Sequence, residues 1–177
     1  MIETPIRCMV FIKVVIHFFK AHAFVFGIKQ NRNNRNTLAN AMLNQIRINT
    51  KVGCNVRQSR VAIASAPESP APLLLQVARV PDGPMSSALF ALQGPGALLT
   101  LEGPYGGFAD PQVPPGGSLV LVAGGTGYAP LRSLLLHRIA LGLTEPVRIY
   151  FGARERADLY ADAELRALAA QWPHLTY

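Results

Sequence analysis

Residues 118–177 predict an α/β fold, one half of a doubly wound parallel sheet, and three observations carry that reading. Three short apolar runs alternate with two stretches of helical periodicity. A Gly-rich turn joins the first run to the first helical stretch, and Pro and Gly mark the changes of element. Alternating strand and helix requires a parallel sheet, because each helix carries the chain back to begin the next strand in the same direction.

The first run, Ser118-Leu-Val-Leu-Val-Ala123, follows a turn at Pro114 to Gly117, and its unbroken apolar character is that of a buried parallel strand. Leu131, Leu134, Leu135 and Ile139 then fall on one helical face. Pro130 suits a first helical turn, where its missing N–H costs nothing, and Gly142 suits the helix end. Pro146 to Gly152 is the second strand. Asp162 to Trp172 is the second helix, with Leu165, Leu168, Ala169 and Trp172 on one face, and His174 to Tyr177 begins a third strand.

Gly124-Gly-Thr-Gly127 separates the first strand from the first helix. Glycines there let a phosphate approach backbone N–H groups that a Cβ would block, and the helix dipole favours the negative charge. A plain tight turn uses the same residues. The turn is also not a G-x-G-x-x-G pattern, because position 130 is Pro.

The rest of the chain divides by composition. Half of the 177 residues are apolar and 15% are charged, a globular balance with enough chain for one well-buried core or two small ones. The net charge of +7 belongs to the first third. Up to Arg60 there are ten Lys and Arg against one acid, and from Val61 there are seven Arg, no Lys and nine acids. All eight Asn and both Cys also lie before Val56. This break predicts an atypical basic segment over 1–55, with a junction near Cys54 to Gln58 between parts of different coding origin. Met9 to Ile28 is interrupted by Lys13, His17, Lys20 and His22, which argues against a membrane span or signal peptide and leaves a poorly packed helix or strand pair. Gln30 to Asn36 reads as a loop or solvated arm. Its basic residues lack interleaved aromatics, so neither a nucleic-acid partner nor a membrane is expected. Cys8 and Cys54 give no disulfide framework and no metal signature, and a reduced cytoplasmic chain is the expectation. No Ser-His-Asp, zinc-ligand or paired-carboxylate arrangement offers hydrolytic chemistry, and no catalytic residue is singled out.

Ala123 to Leu131 resembles the pyridine-nucleotide loop of the ferredoxin–NADP reductase superfamily, closest in look to bacterial flavin reductases and oxygenase reductase components. Four more segments agree in order. Ile63-Ala-Ser-Ala-Pro-Glu-Ser69 resembles the flavin-binding strand, and Gly83-Pro-Met-Ser86 the flavin-phosphate helix start. Leu101 to Gly106 resembles the G-P-x-G strand end, and Tyr150 to Tyr160 the segment after the second nucleotide-domain strand.

The resemblance implies α+β then α/β: a partial antiparallel β-barrel flavin domain over 56–113, then half of a doubly wound NAD(P)-binding domain over 116–177. It implies FAD and NAD(P)H as cofactors. Arg60, Ile63, Ala64, Ser65, Gly83, Met85 and Ser86 fall on the flavin side, and Gly124, Gly125, Thr126, Gly127 and Arg154 on the nucleotide side. Electrons would pass from NAD(P)H through FAD to a ferredoxin, an oxygenase or a small acceptor. Ser86 reads as a helix N-cap, whether or not it holds phosphate. Gly103 to Gly106 lets a ring come close or is a plain turn with Tyr105 packed on the core. Arg154 pairs with a ribose phosphate or with Asp158 or Glu155. Val61 and Ala62 replace the aromatic and hydroxyl that the family places against the flavin, and Arg60 is one place out of register. The first part of the flavin barrel and the last part of the nucleotide domain are not recognised. The alternative is therefore a truncated or rearranged, non-catalytic fragment.

Overall fold

The computed structural model describes residues 9–14, 45–52, 55–69, 73–91, 100–105 and 107–177. Among the described residues, five strands precede residue 106: β1 (Met9–Val14), β2 (Gln45–Val52), β3 (Asn55–Ala62), β4 (Leu73–Ala78) and β5 (Thr100–Tyr105), with helix α1 (Pro84–Ala91) between β4 and β5. All pair antiparallel: β1 with β4, and β2 with β3 on one side and β5 on the other. Strands drawn from the basic first third thus pair across the composition break, where only residues 53 and 54 separate β2 from β3. Ile63 bridges to Leu75, which joins the end of β3 to β4. Val61, Ile63, Leu75, Val77 and Leu89 form one apolar cluster here, with Leu73, Met85 and Phe90 packed against it.

The remainder alternates strand and helix: β6 (Leu119–Gly124), α2 (Tyr128–Ala140), β7 (Val147–Gly152), α3 (Asp162–Gln171) and β8 (Leu175–Thr176). The sheet is parallel in the order β6-β7-β8. Leu121, Ala123, Val147, Ile149, Phe151 and Leu175 pack against Leu131, Leu134, Leu135, Leu165 and Trp172 in the larger core. The helical faces read from the sequence are the ones that are used. Gly142, at φ +66°, follows α2 in the left-handed conformation that its position predicts.

One expectation fails. The Ser118–Ala123 run is not buried on both sides: Leu121 and Ala123 are buried, whereas Val120 and Val122 are 56% and 74% exposed. Tyr150 on β7 is exposed on the same sheet. Only alternate residues meet the helices, and among the described residues nothing covers the other face.

The two regions are tied by side chains of α2. Arg132 Nη1 donates to the Ala64 carbonyl at 2.7 Å and Ser133 Oγ to the Ser65 carbonyl at 2.6 Å, while His137 Nδ1 lies 2.5 Å from Glu68 Oε1. The next residue, the buried Arg138, bonds Asp110 and Glu145, fastening the segment before β6 to the loop before β7. Met9–Val14 falls in a strand, whereas 15–28 and the 30–36 arm lie outside the described residues. No described helix is long and apolar enough to cross a membrane, and the described residues hold no cluster of metal-ligating side chains.

Candidate functional site

The junction of β6 and α2 forms the turn expected from the sequence. Gly124, Gly125, Thr126 and Gly127 are all exposed, and Gly125–Gly127 makes a single 3-10 turn leading into α2. Gly125 has φ +52°, and a Cβ there would meet nothing within 4 Å. The space before Gly127 is equally open. Glycine at 125 therefore answers to the backbone path rather than to crowding, and the turn faces a space that an incoming group can enter. The Tyr128 N–H closes the turn on the Gly125 and Thr126 carbonyls. The N–H groups ahead of it have no helical acceptor, so a phosphate fits this cradle.

An aromatic floor supports the turn. Tyr128 is fully buried with its ring 5.4 Å from Phe151, which meets Tyr160 edge-on at 5.2 Å. Tyr128 donates to Glu164, which also accepts from Arg132 at 2.7 Å. Burial first, and the charge of Glu164 second, push the Tyr128 phenol far above its ordinary value and Tyr160 up to about 12. Both remain neutral donors near neutrality. Tyr160 Oη reaches the Gly125 carbonyl at 2.8 Å and Oε1 of Gln76, on β4, at 3.1 Å.

On the other side, Ile63, Ala64 and Ser65 are buried and held by the protein itself. The Ala64 N–H donates to the Leu74 carbonyl, and Ser65 Oγ accepts from the Leu74 N–H. Their carbonyls take the bonds from Arg132 and Ser133. At α1, Asp82 adopts φ 54° and Gly83 precedes the helix. A Cβ on Gly83 would lie 2.8 Å from both Ser86 Oγ and Val80 Cβ.

Ser86 is not the cap that the sequence suggests. It is the third residue of α1, buried, and its hydroxyl accepts from the Val80 N–H and donates to the carbonyls of Val80 or Gly83. The hydroxyl staples the turn, so the helix start offers backbone N–H groups and the exposed Ser87. Met85 packs partly against the smaller core. Val61 is buried in that cluster with Ile63. Arg60 lies in β3 opposite Arg47, and its side chain is outside the described residues. Arg154 is exposed and, among the described residues, makes no ion pair with Glu155 or Asp158. Tyr105 is partly buried at the end of β5. The sequence reading missed Gln76, Arg132, Ser133 and His137. The signal for the last three was polar residues spaced along an otherwise apolar helix.

A half-covered parallel sheet with an exposed glycine turn, docked on antiparallel strands, defines a nucleotide-binding oxidoreductase module. Residues 121–177 match the oxidoreductase NAD-binding domain family. Over part of its length the chain is similar to members of the ferredoxin–NADP reductase superfamily. It is 40% identical over 116 residues to ferredoxin–NADP reductase B of Sorangium cellulosum, covering 66% of this chain and 47% of that protein. It is 39% identical over 109 residues to the xylene/toluene monooxygenase electron transfer component XylA of Pseudomonas putida, covering 61% and 31%. Among solved structures, the Amycolatopsis reductase GcoB superposes with a TM-score of 0.62 at 29% identity, covering 75% of this chain and 40% of that one. The chain thus spans between about a third and a half of these relatives' lengths.

Proposed function

We propose that this chain carries the cofactor-binding middle of an NAD(P)H-dependent flavin reductase, passing electrons through FAD to an acceptor protein or small acceptor. The observation that carries the reading is the exposed turn at Gly124–Gly127, with its left-handed Gly125 and open space before it, held against β4 by Tyr160. When bound, NAD(P)H would supply a hydride and FAD would accept the electron pair for release in single-electron steps. The protein's part is placement. Gly124, Gly125, Thr126 and Gly127 would hold the nucleotide's pyrophosphate, with Arg154, in the loop leaving the neighbouring strand β7, for a ribose or its phosphate. Gly83, Met85 and Ser86 would hold the flavin phosphate through backbone N–H groups, because the Ser86 hydroxyl is already engaged. Arg60, Ile63, Ala64 and Ser65 would form the strand beside the flavin, with the last two fixed from behind by α2. In this reading β3, β4 and β5 belong to the flavin barrel, with the flavin domain over 56–113 and the nucleotide domain over 116–177, while β1 and β2 pair with that barrel from the basic first segment.

The XylA relative is named as an electron transfer component, and that name supports an oxygenase or its ferredoxin as the acceptor class. The test is direct. The purified chain, titrated with FAD, should quench flavin fluorescence, and NADH or NADPH should then bleach the bound flavin without oxygen. Binding of FAD with no bleaching by either nucleotide would favour a non-catalytic fragment, and absence of both would overturn the reading.

A further inference from the structure

Tyr160 stands where the exposed turn meets the antiparallel strands, and its ring is held by Phe151 and, at 6.2 Å, by Tyr128. Two acceptors face its hydroxyl, the Gly125 carbonyl at 2.8 Å and Gln76 Oε1 at 3.1 Å. A phenol has one hydrogen to give. Gln76 is only 2% exposed, and its Nε2 is buried without a partner. Turning the Gln76 amide over answers both problems. Its N–H then donates to the phenol oxygen, and the phenol hydrogen goes to Gly125 alone. The amide oxygen takes the unpartnered place, which is a lesser fault than an orphaned buried N–H. The result is a directional chain from amide N–H to phenol O–H to backbone carbonyl, in which each bond polarises the next.

We propose that Gln76 and Tyr160 are positioning residues that tie the Gly125 turn to β4 and so fix the nucleotide's place relative to the flavin. The second half of this inference rests on the function proposed above; the tie itself does not. Neither side chain needs to touch the reacting atoms. Near-attack geometry is sensitive to displacements of about 1 Å. A turn of glycines, one of them left-handed, has little of its own to resist such a displacement. The bonds from Arg132, Ser133 and His137 fasten α2 at Ala64 to Glu68 and leave the turn itself to Tyr160. High proton affinity keeps the phenol a donor throughout the working pH range.

Tyr160→Phe keeps the ring packing and removes the bond, and Gln76→Leu removes the amide. Two measurements on the full chain decide the matter. Hydrogen exchange of the Tyr128 amide, which closes the turn on the Gly125 and Thr126 carbonyls, should accelerate roughly ten-fold in each variant without nucleotide, while amides around Leu134 stay unchanged. The double variant should add little to the larger single effect, as expected for a chain of bonds. Affinity for NADH and for ADP-ribose, measured by calorimetry, should fall roughly three- to ten-fold in Tyr160→Phe, the loss of one hydrogen bond's net worth. Unchanged exchange at the turn overturns the tie, whatever the nucleotides do. Faster exchange with undiminished affinity for both probes overturns the positioning role. A parent chain that binds neither probe overturns the functional reading and the positioning role with it, and the exchange result then still decides the tie.

Discussion

The Tyr160 hydroxyl can bridge the turn and β4 only while it keeps its proton. An ordinary phenol titrates at 10.0, and burial followed by the Glu164 charge moves this one to about 12. Below about pH 10 the group is neutral folded or unfolded, and its contribution is fully present. Between 10 and 12 the unfolded chain loses the proton while the folded chain retains it, so stability falls as pH rises and the contribution is gone above the folded value. Tyr128 shifts in the same direction for the same first cause. We therefore expect the urea midpoint to decline from about pH 10 upward, with a shallower decline in Tyr160→Phe. Equal slopes in the two proteins would show that the phenol is not held as described. Little of this was legible in the sequence. Tyr160 entered it as part of a matching segment, and nothing local announces that residue 160 lies against residues 76 and 125. Ser86 shows the same limit. Its spacing from Gly83 was readable, but which way its hydroxyl turns depends on Val80 closing over it.

Two glycines that look alike in sequence act differently within their elements. Gly83, between β4 and α1, is crowded: a Cβ there would strike Ser86 Oγ and Val80 Cβ at 2.8 Å. Gly125 is uncrowded but has φ +52°. Gly83→Ala should thus cost stability by overpacking, about 1–3 kcal/mol, and disturb α1. Gly125→Ala should cost only the left-handed backbone penalty, about 1–2 kcal/mol, yet place a methyl group in the space before the turn and weaken nucleotide binding. Thermal unfolding and NADH titration separate the two; nucleotide affinity lost in Gly83→Ala but retained in Gly125→Ala would reverse the assignment. At this scale the α/β half was well legible, because helical periodicity and Gly-rich turns are local signals. β2 was legible too. Gln45-Ile-Arg-Ile-Asn-Thr-Lys-Val52 alternates with the period of a strand, but the composition break drew attention away from that pattern. Its pairing with β5 joins residues about fifty apart, and no local signal encodes that.

At the scale of the molecule, three bonds from one helix join the two regions beside the Tyr160–Gln76 contact. Arg132 is the principal one, since it bonds the carbonyl of the fully buried Ala64 and the Glu164 carboxylate at once. Truncating it leaves a buried carbonyl without that donor and a carboxylate without its cation, at a cost of about 1–3 kcal/mol. Ser133 is itself fully buried and donates to the Ser65 carbonyl at 2.6 Å. The chain has a single tryptophan, Trp172, in the core of the α/β half. Its fluorescence reports that half, whereas far-ultraviolet circular dichroism weighs all the strands and helices. In the parent chain the two signals should change together across a urea titration, the behaviour of one cooperative unit. In Arg132→Ala with Ser133→Ala the helix keeps its apolar face against β6 and β7 but loses its hold on Ala64 and Ser65. The circular dichroism midpoint should then fall below the Trp172 midpoint, because the antiparallel strands release first while the larger core of Leu134, Leu135 and Phe151 remains closed. Coincident midpoints in that variant would mean that the Arg132 and Ser133 bonds are not what couples the halves, leaving apolar contact with the His137–Glu68 and Tyr160–Gln76 contacts to do so. Separate midpoints already present in the parent chain would mean that these bonds do not couple them.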